Sequence, residues 1–306
     1  MQRRNFLKST FAATCCYGLS TLPLSLFADD IITITILHTN DVHSRIEPFP
    51  MDGGKNQGFG GIAQRSTLIN KIRSTQKNVL LLDAGDLVQG TPYFNFYGGV
   101  IEIKLMNQLG YDATTIGNHD FDGNMSGLLK MVDLAQFPFL SANYDFKTHS
   151  LAQKIKKYKI FHKQGIKIGV FGVGIELKGL VPETAYEETT YLEPIDIAQS
   201  TAHFLKNDQK CDLVICLSHL GYSYGNNKIS DIVLAKKTAN IDLIIGGHTH
   251  TYLSEPKMHI NLEQKAVLIN QVGWAGIYLG RVDFYFTKNK NKNKKTATWH
   301  TEIISK

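Results

Sequence analysis

The sequence is poor in the residues that staple, break or anchor a chain: four cysteines, two tryptophans and eight prolines in 306 residues. Two of the cysteines, Cys15 and Cys16, lie near the start, which excludes a disulfide framework as the basis of the fold. The other two share the apolar run Cys211-Asp212-Leu213-Val214-Ile215-Cys216-Leu217. Five apart on one strand, they would face opposite sides and could not bridge, so they read as small buried hydrophobes. No apolar run is long and clean enough for a stable membrane span, because the one from Phe11 to Phe27 is interrupted by Ser20, Thr21, Pro23 and Ser25. A basic face is missing as well. Of the net +6, Arg3, Arg4 and Lys8 supply three charges and Lys288, Lys290, Lys292, Lys294 and Lys295 five, so the rest of the chain carries −2. A nucleic-acid polymer is therefore excluded as partner. What remains, 43% apolar and 20% charged residues, is an ordinary globular composition with room for a large core.

The first 28 residues read as an export signal. A charged head (Arg3-Arg4-Asn5-Phe6-Leu7-Lys8) precedes a short apolar middle, and a small residue, Ala28, stands before two acids. The arginine pair with Phe-Leu-Lys behind it resembles a twin-arginine (Tat) signal. That implies the Tat export machinery as a partner, cleavage near Ala28, and a periplasmic or extracellular address.

Residues 29–287 read as one domain, followed over 288–306 by a Lys/Asn-rich spacer and a terminal strand, Thr298–Ile304. Within the domain, short apolar runs alternate with helical patterns, the signature of an α/β fold. Strands are expected at 31–37, 79–82, 113–116, 213–217, 243–245, 265–271 and 278–286, with a hairpin around Gln164-Gly165. Helices are expected at 62–74, 99–109, 127–135, 194–205 and 229–238.

The informative residues stand directly after five of these strands. Asp41-Val42-His43 succeeds the first, Gly85-Asp86 the second, and Gly117-Asn118-His119-Asp120-Phe121-Asp122 the third. Ser218-His219 and Gly246-Gly247-His248-Thr249-His250 succeed two later ones. In an open α/β sheet, ligands bind where strands end. Singly, Asp41 and Asp86 could be turn residues, and Asn118 and Asp122 helix caps. Together, seven O/N donors at five strand ends exceed what one tetrahedral ion needs and suit two ions about 3.5–4 Å apart. Donors without thiolate suit Mn, Zn, Fe or Co.

These segments, with Ile36-Leu37-His38-Thr39-Asn40 before Asp41, Asp83-Ala84 before Gly85 and Gly90-Thr91-Pro92 behind Asp86, resemble the 5′-nucleotidase/UDP-sugar hydrolase branch of the calcineurin-like metallophosphatases. Gln271-Val272-Gly273-Trp274 through Leu279-Gly280-Arg281 resembles that branch's last core strands. The resemblance covers roughly residues 31–286 and implies an α/β/β/α sandwich. It implies that Asp41, His43 and His250 hold one ion, that Asn118, His219 and His248 hold the other, and that Asp86 bridges them. His119 would contact phosphate and leaving oxygen, with Asp122 orienting its ring, and His38 would be a packed group behind the site. The implied reaction is hydrolysis of small phosphate monoesters, 5′-nucleotides among them, by metal-activated water. Sulfur-oxyanion ester hydrolysis on the same fold and a non-catalytic metal-binding partner subunit are the alternatives. Relatives of this branch carry a C-terminal specificity domain; here the sequence ends about twenty residues after the last core strand, so substrate grip is expected from a partner or from nearby loops. Two aromatic groups stand close to ligands: Tyr93, Phe94, Phe96 and Tyr97, and Tyr222 and Tyr224. The last two, in a polar glycine-containing segment, are expected to be the substrate-binding pair.

Overall fold

The computed structural model describes residues 31–226, 228–287 and 294–304. The expected export signal and most of the lysine-rich spacer lie outside these residues. Among the described residues there are fourteen strands: β1 (Ile31–Thr39), β2 (Val79–Asp83), β3 (Ala113–Thr115), β4 (Phe139–Leu140), β5 (Tyr144–Asp145), β6 (Tyr158–Lys163), β7 (Ile166–Gly174), β8 (Thr190–Tyr191), β9 (Leu213–His219), β10 (Leu243–Gly246), β11 (Lys257–Ile260), β12 (Ala266–Asn270), β13 (Tyr278–Thr287) and β14 (Lys294–Ile303). Helices are α1 (Ile62–Thr75), α2 (Pro92–Tyr97), α3 (Val100–Leu109), α4 (Asn124–Leu134), α5 (Leu151–Lys154), α6 (Glu183–Tyr186), α7 (Pro194–His203) and α8 (Asp231–Lys237).

Two six-stranded sheets carry the fold, in the orders β14-β13-β1-β2-β3-β4 and β11-β12-β10-β9-β7-β6, with β5 and β8 pairing separately. In the first, β1, β2, β3 and β4 run parallel out to the β4 edge, and the antiparallel β13 and β14 form the other side; in the second, β7, β9, β10 and β12 run parallel between the antiparallel edge strands β6 and β11.

Alternation along the strands builds three apolar layers. Ile32, Ile34 and Ile36 of β1 and Leu80 and Leu82 of β2 meet Ile168, Val170, Leu213, Ile215 and Ile245 in a core between the sheets. Val79 and Leu81 point the other way, onto Ile69, Ile72, Ile103, Met106 and Leu128 of α1, α3 and α4. Phe171, Val214, Cys216 and Ile244 leave the second sheet's outer face and meet Ala198, Ala202 and Leu234 of α7 and α8. Helix, sheet, sheet, helix is thus the layer order, as the resemblance implied.

Several expectations are corrected. Cys211 and Cys216 do not sit on opposite faces. Cys211 precedes β9, so strand alternation does not govern it, and both thiols lie free in the outer core of the second sheet. The terminal strand is β14, which pairs with β13 along its whole length as part of the first sheet. The helix opened by Pro194 leaves α geometry at His203 and continues as a π-helical turn, Phe204–Asp208. The aromatic run after Asp86 forms α2. It packs Phe94 on the core and leaves Phe96 81% and Tyr97 50% exposed.

Candidate metal centre

Parallel strands end on one side, and two facing sheets bring both sets of ends to one rim. The turn after β1 is laced to the turn after β2 by backbone bonds from Asp41 N to Gly85 O (3.0 Å), His43 N to Asp86 O (3.1 Å) and Ser44 N to Leu87 O (2.9 Å). Asp41, His43, Asp86, His248 and His250 all have φ between 50° and 72°. Non-glycine residues seldom adopt this left-handed region, and such strain concentrates at functional sites. Gly85 shows why the turns need glycine. Its φ is +87°, and an added Cβ would stand 2.6 Å from Gly117 N and 3.0 Å from His219 Nδ1.

The structure brings together all seven residues expected to hold metal. Asp41, His43 and His250 form one group and Asp86, His219 and His248 another, the ligand-capable atoms of each lying within 4.8 Å of one another. His43 Nε2 and His250 Nε2 face each other at 3.0 Å. Asp86 Oδ2 lies between the groups, 3.1 Å from His219 Nε2 and 3.8 Å from His43 Nε2. Asn118 Oδ1 meets His248 Nδ1 at 2.8 Å. His219 Nδ1 donates to Ala84 O at 2.6 Å, which fixes the tautomer and turns Nε2 toward Asp86. The Asp41 carboxylate accepts the His248 N–H at 2.9 and 3.1 Å. Imidazole nitrogens and carboxylate oxygens aimed at common points suit divalent cations.

The buried carboxylates make the centre a place that favours positive charge. Burial alone would lower the His219 imidazole, but the adjoining Asp86 and Asp41 carboxylates outweigh it and raise the ring to about 10. Burial would likewise raise Asp86, yet the His219 and His43 imidazoles hold it below the usual carboxylate range. His248 is pushed down to about 4 and His43 is lowered too, burial leading in both.

His119 and Asp122 stand at the mouth of the centre. His119 Nδ1 and Asp122 Oδ2 are 2.8 Å apart, and this bond holds His119 above the ordinary imidazole range against its partial burial. The backbone N–H of His119 donates to Asp86 Oδ1 at 2.8 Å. His38 is fully buried behind the site, with Nε2 3.0 Å from Asn270 Nδ2 and burial pressing it down to about 3.

The Tyr222 N–H donates to Thr249 Oγ1 at 3.0 Å, beside His248 and His250. Tyr222 packs partly on the outer core of the second sheet. The Tyr224 hydroxyl donates to Leu220 O at 2.8 Å, and Lys228 Nζ lies 4.5 Å above its ring. Sequence reasoning assigned no role to Asp120. It is fully buried, and its carboxylate accepts the backbone N–H groups of Asp86 (3.1 Å), Leu87 (2.9 Å) and Gly117 (2.8 Å). Its place two residues after Asn118 was the available signal.

Comparison with known proteins places this geometry. The chain is 34% identical over 289 residues to a snake venom 5′-nucleotidase of Gloydius brevicauda, covering 86% of this chain and 47% of that protein. It is 34% identical over 278 residues to that of Naja atra, covering 83% and 50%. It thus spans about half the length of these curated relatives. Among solved structures, a 5′-nucleotidase precursor from Thermus thermophilus superposes with a TM-score of 0.79 at 29% identity, covering 90% of this chain and 55% of the other. Among the described residues, no helix is long and apolar enough to cross a membrane. Residues 34–252 match the family described as calcineurin-like phosphoesterase. The chain belongs to the calcineurin-like phosphoesterase family, whose enzymes hydrolyse phosphate esters with two divalent metal ions.

Proposed function

We propose that this chain hydrolyses small phosphate monoesters, 5′-nucleotides among them, outside the cytoplasm after export through the Tat route. The observation that carries the catalytic reading is the convergence of two ligand groups on a shared carboxylate, with His119 and Asp122 at their edge. In this reading Asp41, His43 and His250 would hold one ion, Asn118, His219 and His248 the other, and Asp86 would be shared between them. Two divalent ions held there would supply neutralisation of phosphate charge and activation of water near neutral pH.

The protein's own residues do the rest. Asn118 and His119 present an amide and an imidazole to the phosphoryl oxygens. The hydrogen bond to Asp122 keeps His119 protonated nearer neutral pH than a free imidazole, so its Nε2 carries a proton that can pass to the leaving oxygen. The side-chain exposure of His119 (37%) leaves that edge open to substrate.

The relatives named 5′-nucleotidase support nucleotides as substrates, and a signal-like start supports export. Mature protein loaded with Mn²⁺ should cleave p-nitrophenyl phosphate and 5′-nucleotides, with bis-phosphodiesters as the comparison panel. A fully metal-loaded protein inert toward every monoester would overturn the proposal.

A further inference from the structure

One wall of the cleft beside the metal centre is built from residues to which sequence reasoning gave no role. The cleft, of about 200 Å³, is lined by His43, His119 and His250 together with Arg45, Gln89 and Trp274. Trp274 is 38% exposed and is the only indole or phenyl ring in that lining. Its ring lies parallel to His250, 5° and 5.7 Å apart, and meets Phe49 edge-on at 5.9 Å. The Arg45 guanidinium in turn sits 4.2 Å above Phe49. Imidazole, indole, phenyl and guanidinium therefore form one continuous strip leading away from the metal ligands.

The strip is fixed to the metal turn itself. Asn40, the neighbour of Asp41, donates through Nδ2 to Gly273 O at 2.6 Å and accepts the Val272 N–H at 2.9 Å. Ala275 N donates to Asp41 O at 2.7 Å while Ala275 holds φ at 57°, strained for alanine. Trp274 sits between these anchors, so its distance from the reacting phosphate is set by the same turn that sets Asp41. Arg45 is held by a ring instead of a carboxylate, and its Nε is buried without a hydrogen-bond partner. Arg45 lines the cleft, and among the described residues no carboxylate pairs with it.

We propose that Trp274 and Arg45 form the leaving-group subsite: Trp274 stacks a flat aromatic group, and Arg45 takes a phosphoryl oxygen. The substrate class is then the nucleoside phosphate in preference to aliphatic phosphate esters. This rests on the hydrolytic reading above. It also moves substrate grip away from Tyr222 and Tyr224, neither of which lines the cleft. A ring can stack any base without reading its edge, so little discrimination among bases is expected.

Binding and turnover test this separately. With Trp299→Phe, Trp274 is the sole indole. Adenosine, which has no phosphate to lose, should quench its fluorescence in the metal-loaded protein, and glycerol should not. In the otherwise native chain, Trp274→Leu should raise KM for AMP at least about tenfold more than for glycerol phosphate, and Trp274→Phe should recover most of the difference. Arg45→Gln should raise KM for AMP and ADP alike if the guanidinium takes the scissile phosphate, and for ADP alone if it takes a second phosphoryl group. Either result supports the subsite; no change with either nucleotide overturns the assignment of Arg45. Equal losses on AMP and glycerol phosphate with Trp274→Leu, or metal lost along with them, would reduce Trp274 to a support for His250 and overturn its assignment. An AMP-specific loss in Tyr222→Ala or Tyr224→Ala but not in Trp274→Leu would do the same. A wild-type protein that cleaves no ester, with adenosine quenching still seen in Trp299→Phe, would refute the hydrolytic reading and leave the subsite standing.

Discussion

Replacing Asp120 by asparagine probes how the turns carrying Asp86 and Asn118 are held together. The buried carboxylate accepts the N–H groups of Asp86 and Gly117 on Oδ2 and that of Leu87 on Oδ1. An asparagine has one accepting oxygen. Placed on the Oδ2 side, it keeps two of these bonds and turns its NH₂ toward the Leu87 N–H. Placed the other way, it strands two donors. The cheaper choice leaves one buried N–H without an acceptor, a cost of ~1–3 kcal/mol. For a domain of this size that lowers the melting temperature by roughly 2–9 °C. Circular dichroism melts measure this, and a Mn²⁺ titration of the same variant should show weaker binding, because the released N–H belongs to the turn that aims Asp86. An Asp120→Asn variant with the wild-type melting temperature and Mn²⁺ affinity would refute the account of Asp120 as the tie between the two turns.

Three further outcomes are expected. His119→Ala should keep both ions yet lower kcat on the order of 10²–10⁴, the loss typical of a general acid, whereas Asp86→Asn should strip metal; equal metal content and equal residual activity in both would contradict this division. Gly85→Ala should cost at least about 1–2 kcal/mol for its left-handed backbone alone, more with the contacts to Gly117 and His219, and a melt indistinguishable from wild type would show that the turn can relax. Burial raises Asp231 to about 8, against 3.8 for an ordinary aspartate. The folded chain therefore keeps a proton that the unfolded chain gives up, and this contribution to stability falls as pH rises between those values; Asp231→Asn should flatten the decline in melting temperature from pH 5 to 8, and an unaltered slope would exclude Asp231 as its source.

Much of this protein was legible in sequence because its signals are local. The Ile/Thr alternation of β1, the Gln164-Gly165 turn between β6 and β7, and the donors at the ends of β1, β2, β3, β9 and β10 each span a few residues. Chemistry at those positions depends on residue type, so the donor set could be read before any geometry was known. The error over Cys211 came from a local rule carried past its element, because Cys211 stands outside the strand whose alternation was applied to it. Residue spacing by itself does not say which donors stand together; the facing of the two sheets groups them. Asp41 and His248 are 207 residues apart, and it takes the facing of two sheets to bond them. Asp120 and Trp274 belong to the same class. One acts through backbone groups of another turn, the other stands beside His250 because Asn40 holds a loop 233 residues away. Residue chemistry and strand period are written locally in the chain, whereas contacts between distant segments exist only once burial of the two sheets has closed the intervening chain.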